Sequence, residues 1–189
     1  VLAETLKNLP VDVENEAKLL DEVADFFAQR AKNMLLDKGV RYDVVDAVLA
    51  APGLDDLADI FVRADALAAY LETDKAADSI QAFTRVENIS KNNVVEAPVD
   101  AALFQDAAEK TLSEAVEKVA AATAPLAADR KYADLLAAND ELAAPVNAFF
   151  DAVMVMDKDE KVKNNRLALL NQVKKQVNQV ADLSQLVMK

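Results

Sequence analysis

The 189-residue sequence contains no cysteine and no histidine, and its only glycines are Gly39 and Gly53. Without cysteine the chain has no disulfide, no thiol nucleophile and no thiolate metal ligand, a composition that fits a reducing compartment. Without histidine it lacks the commonest general base and the commonest metal ligand. Two isolated glycines cannot build a glycine-rich loop that cradles phosphates. We therefore expect no catalytic residues, no metal site and no cofactor in this segment.

Long apolar runs are also missing. The longest uncharged stretch, residues 119–128, is rich in alanine and contains Pro125, whereas a membrane-spanning helix needs about 20 apolar residues. The sequence starts at Val1 and shows no basic-then-apolar signal pattern. We expect a cytoplasmic piece of a longer chain, with no membrane partner.

The residues that are abundant favour helices. Apolar residues make up 53% of the chain, and the plentiful alanine and leucine are strong helix formers. A chain of this length buries one sizeable core. The sequence therefore predicts an all-α fold, a single helical bundle of about eight helices that spans residues 1–189.

Apolar residues recur at three- and four-residue steps, and caps and prolines divide that pattern into helices. The predicted helices are residues 13–37, residues 43–51, a third helix opened by Asp55 and Asp56, a fourth capped by Thr73 or Asp74, residues 100–124, residues 132–143, residues 145–156, and a last long helix capped by Asp157 or Asp159. Gly39 is placed to end the first helix, and residues 91–99 form the one long loop. Four large apolar residues of the seventh helix are predicted to fill the core: Phe149, Phe150, Met154 and Met156.

Acidic residues outnumber basic ones by 33 to 21, so the net charge is −12. Taken alone, this balance argues against nucleic-acid binding, whose footprint is usually basic. Six basic residues nevertheless lie between Lys158 and Lys175, among them only Asp159 and Glu160 as acids. This lysine- and amide-rich side of the last helix is either a solvated surface or a face that contacts phosphates and base edges.

Two arginines carry a similar ambiguity. Arg166 falls in register with the apolar stripe of the last helix, and Arg85 precedes Val86 and Asn88-Ile89 of the fourth. Each is either structural, with Arg166 pairing with Asp151 or Asp157, or functional, with its planar guanidinium binding two phosphate oxygens. The acids of residues 157–160 do not form a calcium loop, because the required glycine and twelfth-position glutamate are missing.

Six segments, in the same order, resemble the C-terminal region of the β subunit of bacterial heterotetrameric glycyl-tRNA synthetase. They are Phe26-Phe27 with Arg30, Arg41–Ala50, Arg85-Val86 with Asn88-Ile89, Val146–Met156, Asn165–Leu167 with Leu169-Leu170, and Val180–Ser184. In that family the region is a helical anticodon-binding domain of the type shared with arginyl-tRNA synthetase. The sequence departs from the family pattern at Thr84, Asn147 and Lys163, which softens the local charge without altering the expected fold.

The resemblance implies a domain that binds the anticodon stem-loop of glycine tRNA within an α2β2 glycine–tRNA ligase. Its expected partners are that RNA, the α subunit and the rest of the β subunit, while ATP and Mg²⁺ belong to the whole enzyme and this fragment is non-catalytic. The candidate RNA-facing residues are Lys161, Lys163, Asn164, Arg166 and Lys175, with Arg85 and Lys91 as second choices. The alternative is a helical interaction module that docks onto a partner protein without RNA, which the net charge of −12 favours.

Overall fold

The computed structural model describes residues 15–51 and 56–187, and these residues form eight α-helices and no strand. The α-helices are α1 (Glu16–Asp37), α2 (Tyr42–Ala50), α3 (Leu57–Tyr70), α4 (Ala76–Ser90), α5 (Ala107–Ala128), α6 (Tyr132–Asn139), α7 (Ala143–Ala152) and α8 (Glu160–Val177). Three single-turn 3-10 helices lie at Ala101–Leu103, Asp140–Leu142 and Leu183–Gln185. The predicted all-α bundle is confirmed. None of the described helices has the length and apolar character that crossing a bilayer requires.

Several helix ends lie where local sequence signals place them. Gly39 follows α1 with a φ of 83°, a left-handed conformation that glycine adopts without steric cost. The Asp56 carboxylate accepts a hydrogen bond from the Asp59 amide and caps α3. The Asp159 carboxylate accepts from the Lys161 amide at 2.8 Å and caps α8. The predictions that rest on residues 13, 14 and 52–55 lie outside the described residues.

Two predicted helix starts are wrong. Neither Thr73 nor Asp74 caps α4, which begins after Lys75 without a side-chain cap; the Thr73 hydroxyl instead donates to the Tyr70 carbonyl at 2.8 Å. The helix predicted from residue 100 begins at residue 107, because Asp106 and Glu109 form a reciprocal capping box there. A capping box satisfies two free amides of the first turn and so fixes the start of the helix.

Three predicted helix ends are wrong as well. Helix α5 continues through Pro125 to residue 128. The stretch 132–143 divides into α6 and a 3-10 turn. Helix α7 ends at residue 152, and in the segment that follows Met154 and Met156 are 77% and 51% exposed while Val153 and Val155 are buried. The prediction that Met154 and Met156 fill the core is therefore wrong.

Helix α8 lies at the centre of the bundle. It packs against α4, α5 and α6, and 11 of its 18 residues are buried. Several amides predicted for a surface face are interior: Asn165 bonds both backbone groups of Asp100, and Gln176 donates to Thr123 and Asn139 at 2.8 and 2.9 Å. These amides are structural, because a buried amide must be hydrogen-bonded to avoid a large desolvation cost.

Candidate nucleic-acid interface

The first turn of α8 presents three of the candidate residues. Lys161 and Asn164 are exposed, while Lys163 is partly covered and its ammonium group pairs with the Glu160 carboxylate at 2.7 Å. Asp159 lies in the same turn, where negative charge is stabilised by the positive end of the helix. The lysines of this turn are therefore interspersed with carboxylates, so this turn is not a purely cationic patch.

Arg166 lies in the interior, 5% exposed. Its Nε donates to the Glu109 carboxylate at 2.9 Å, and its Nη1 donates to Asp157 at 2.8 Å and to the Met154 carbonyl at 3.0 Å. Its Nη2 donates to Gln105 at 3.1 Å. The guanidinium is thus bonded to the side chains of Glu109 in α5 and Gln105 just before it, and to the Met154 carbonyl and Asp157 carboxylate in the segment between α7 and α8. This geometry matches the structural alternative and leaves Arg166 no free edge for a phosphate.

Arg166 and the carboxylates around it stabilise one another in their charged forms. Burial lowers the pKa of Arg166, but the hydrogen bond and the negative charge of Glu109 outweigh that effect and raise it overall. The pKa of the Asp157 carboxyl is lowered by the Asp159 backbone amide and then by the Arg166 side chain. Both groups stay ionised at neutral pH, and the network fixes the segment that carries the two exposed methionines, Met154 and Met156.

Lys175 lies in the last turn of α8. It lies fourteen positions after Lys161, which corresponds to about 21 Å along the helix at 1.5 Å per residue. Lys175 is exposed and has no ion pair among the described residues, whereas its neighbour Lys174 pairs with Glu87 at 2.8 Å. The two ends of α8 therefore offer two separate cationic points rather than one continuous patch.

Helix α4 carries the remaining candidates. Lys91 is exposed at its C-terminal end, without a carboxylate partner among residues 15–51 and 56–187. Arg85 lies against α7: its Nη1 donates to the Asn147 side chain at 3.1 Å, and its Cζ lies 4.6 Å from the centroid of the Phe150 ring. The Nη2 of Arg85 lies 3.9 Å from the Asp151 carboxylate. Helix packing thus joins a planar cation, an aromatic ring, an amide and an acid at one surface.

We call this set of four residues, Arg85, Asn147, Phe150 and Asp151, the α4–α7 cluster. The three residues from α7 follow one another at positions i, i+3 and i+4, so they lie on one helix face. Sequence reasoning treated Phe150 as core, yet it is only half-buried beside the fully buried Phe149. The i, i+3, i+4 spacing could have identified the three residues of α7 as one face, but not their contact with Arg85 of α4.

The structure does not bring the seven candidates together. Lys161, Lys163 and Asn164 share the start of α8, Lys175 lies at its other end, Arg166 is interior, and Arg85 and Lys91 lie on α4. Six residues of helix turn through about 600°, so Arg85 and Lys91 point to different sides of α4. The exposed candidates therefore do not form one patch, and Arg85 alone among the seven belongs to the α4–α7 cluster.

Comparison with known proteins identifies the family. The family model described as "DALR anticodon binding domain" matches residues 79–185, more than half of the chain. This match contains every candidate residue. The part outside it includes α1, α2 and α3.

Curated relatives match nearly the whole chain. The glycine–tRNA ligase beta subunit of Clostridioides difficile is 37% identical over 179 residues, 95% of this chain and 26% of the relative. The same-named subunits of Desulforudis audaxviator and Geobacter metallireducens are 43% identical over 163 residues (86% of this chain, 23% of the relative) and 40% identical over 186 residues (98% and 26%). The chain spans about a quarter of the length of these relatives. It belongs to the DALR anticodon binding domain family.

Proposed function

We propose that this chain binds the anticodon stem-loop of a glycine tRNA and thereby helps a glycine–tRNA ligase select its RNA for ATP-dependent glycylation. The observation that carries the proposal is the family match over residues 79–185, which includes α4, α7 and α8. Glycine is the proposed amino acid because the curated relatives are glycine–tRNA ligase beta subunits. The α subunit and the remainder of a β subunit complete the proposed enzyme in an α2β2 assembly, which acts in the cytoplasm. The proposed enzyme binds ATP and Mg²⁺ outside this fragment.

The separated lysines support RNA binding despite the net charge of −12. Lys91, Lys161 and Lys175 are exposed and have no ion pair within the described parts of the chain. Phosphate contacts position an RNA without reading its sequence, and separated cations can contact phosphates that lie far apart along a backbone. A folded hairpin presents such phosphates on both of its strands.

Titration of RNA hairpins at two salt concentrations tests the proposal. A glycine anticodon stem-loop is compared with a hairpin of equal length that carries an unrelated anticodon. We expect tighter binding of the glycine hairpin, and we expect Lys161→Ala and Lys175→Ala each to weaken binding and to reduce the salt slope by about one. Lys110→Ala is the matched control, since Lys110 is an exposed lysine of α5 whose partner, Glu114, is also exposed.

The two outcomes are distinct. Preferential binding with a reduced slope in the α8 variants supports the proposal. Equal, weak binding of both hairpins with no response to the lysine variants overturns it and favours the helical module that docks onto a protein.

A further inference from the structure

The α4–α7 cluster places a carboxylate beside an arginine, and a carboxylate repels phosphates but can accept a hydrogen bond from the amine of a base. Asp151 is 77% exposed in its side chain and Arg85 is 42% exposed, and they lie 3.9 Å apart. This separation is longer than a hydrogen bond, so both groups retain capacity for a third partner. The cluster therefore offers an acceptor and a donor side by side at the surface.

The donor side of the cluster is held in place. The Arg85 Nη1 is fixed by the Asn147 side-chain oxygen at 3.1 Å, and the cation lies 4.6 Å from the centroid of the Phe150 ring. Cation–π contact and a hydrogen bond restrict the guanidinium without using Nη2. Phe150 packs edge-on against the fully buried Phe149, so the ring itself is anchored to the core.

A carboxylate acceptor beside an arginine donor is complementary to cytosine. Cytosine presents an exocyclic amine, which donates, next to a ring nitrogen and a carbonyl, which accept. A carboxylate accepts from the amine, and an arginine donates to the neighbouring acceptors. Uracil presents a carbonyl where cytosine has the amine, so the Asp151 carboxylate would face another acceptor.

We infer that the α4–α7 cluster reads a cytosine of the anticodon, with the Asp151 carboxylate accepting from its amine and the Arg85 Nη2 donating to its ring nitrogen or carbonyl. The inference rests on the proposed function and deepens it: glycine codons begin with two guanines, so the anticodon of the proposed RNA contains two adjacent cytosines. Phe150 and Asn147 act as positioning residues for the guanidinium. A base in an anticodon loop can be splayed out to reach such a cluster.

Binding of three hairpins to the 189-residue chain tests this assignment. The first carries the glycine anticodon, and the other two replace one or the other cytosine with uracil. We expect the chain to prefer the cytosine hairpin over one of the uracil hairpins by about 10-fold, since a well-placed pair of base contacts gives roughly 5- to 150-fold discrimination.

Conservative variants of Asp151 and Arg85 separate base reading from folding. Asp151→Asn replaces one acceptor oxygen with an NH₂ group, which can donate a hydrogen bond to the uracil carbonyl. The preference for cytosine over uracil should therefore fall to within about 3-fold while the hairpin still binds. Arg85→Lys keeps the charge but loses the planar fork, and it should reduce the preference as well. The matched control is Asp65→Asn, an exposed aspartate of α3, which should leave the preference unchanged.

Failure of the cytosine assignment can be distinguished from failure of the proposed function. If the chain binds the glycine hairpin and prefers cytosine, but Asp151→Asn and Arg85→Lys leave that preference unchanged, the assignment of the α4–α7 cluster is wrong and the proposed function stands. Absence of any preference for the glycine hairpin over the unrelated anticodon overturns both.

Discussion

At the scale of single residues, Arg166 shows how a functional candidate becomes a structural one. The sequence offers Asp151 or Asp157 as its structural partner, and the structure pairs it with Asp157, nine positions earlier on the other side of a helix cap. Its buried partner Glu109 lies 57 positions earlier. No local sequence pattern predicts such a contact, so only the fold distinguishes a structural arginine from a phosphate-binding one.

Removing Arg166 should destabilise the chain strongly. Arg166→Ala leaves Glu109 charged and buried, at 1% side-chain exposure, and breaking a buried ion pair in this way costs about 3 to 5 kcal/mol. Urea unfolding followed by circular dichroism measures the loss in the free energy of unfolding. Lys161→Ala, at an exposed position of the same helix, should change that free energy by less than about 0.5 kcal/mol.

A second pair of variants tests whether the unpaired charge of Glu109 causes this loss of stability. Arg166→Met combined with Glu109→Gln should be more stable than Arg166→Met alone, because no unpaired charge is then buried. Equal stability of the single and double variants would assign the loss to packing rather than to the charge.

At the scale of helices, local signals predict most of the architecture. Gly39, Asp56 and Asp159 mark ends that depend on the nearest residues, and all three act as expected. The errors fall where tertiary contacts or a competing cap decide. The end of α7 is an example, since the segment after it is held by the bond from Arg166 to the Met154 carbonyl.

Helix α2 is joined to the end of the described chain by one carboxylate. Asp43 is buried and accepts from the Arg41 guanidinium at 2.6 Å and from the Val187 amide at 2.9 Å. Arg41 also donates to the Val187 carbonyl at 2.9 Å. Burial raises the pKa of Asp43, but the hydrogen bonds from Arg41 and Val187 outweigh it, so the net pKa is lowered.

This lowered pKa predicts a loss of stability in acid. Above about pH 4, the ordinary pKa of an aspartate, the contribution of Asp43 to stability is fully present. As the pH falls further the unfolded chain takes up the proton first, and the contribution is lost as the pH passes through the lower pKa of the folded state. Asp43→Asn should cost about 2 kcal/mol at neutral pH.

Urea unfolding of both chains at pH 7, 5 and 3 measures the difference in the free energy of unfolding. That difference should be the same at pH 7 and pH 5 and clearly smaller at pH 3. A difference that stays constant down to pH 3 would show that the charge of Asp43 contributes nothing beyond its shape.

At the scale of the whole molecule, the acidic composition argues against RNA binding, whereas the exposed lysines of the candidate interface favour it. The 33 acidic residues dominate the charge, and the burial of α8 among α4, α5 and α6 removes much of the amide-rich face on which the sequence-based interface depended. Periodicity predicts one buried stripe for a helix, whereas a central helix is covered on several sides. The α4–α7 cluster depends on a packing of two helices that the sequence does not specify.

This charge imbalance predicts opposite responses to salt. Mutual repulsion among a net charge of −12 destabilises the compact state, and salt screens it with a Debye length that falls from about 30 Å at 0.01 M to about 8 Å at 0.15 M. Raising NaCl from 0.01 to 0.15 M should therefore raise the urea midpoint. The same change should weaken binding of the glycine hairpin, because phosphate contacts release counterions.

Measuring both quantities in one series of buffers separates the two effects. An acidic protein that binds RNA through a few local cations should gain stability and lose affinity over the same range of salt. Sodium sulfate at matched ionic strength controls for the identity of the anion. Stability that falls with added NaCl would mean that local ion pairs such as Lys118 with Glu141 and Lys32 with Asp46 outweigh the net repulsion, and affinity that rises with salt would contradict phosphate contact altogether.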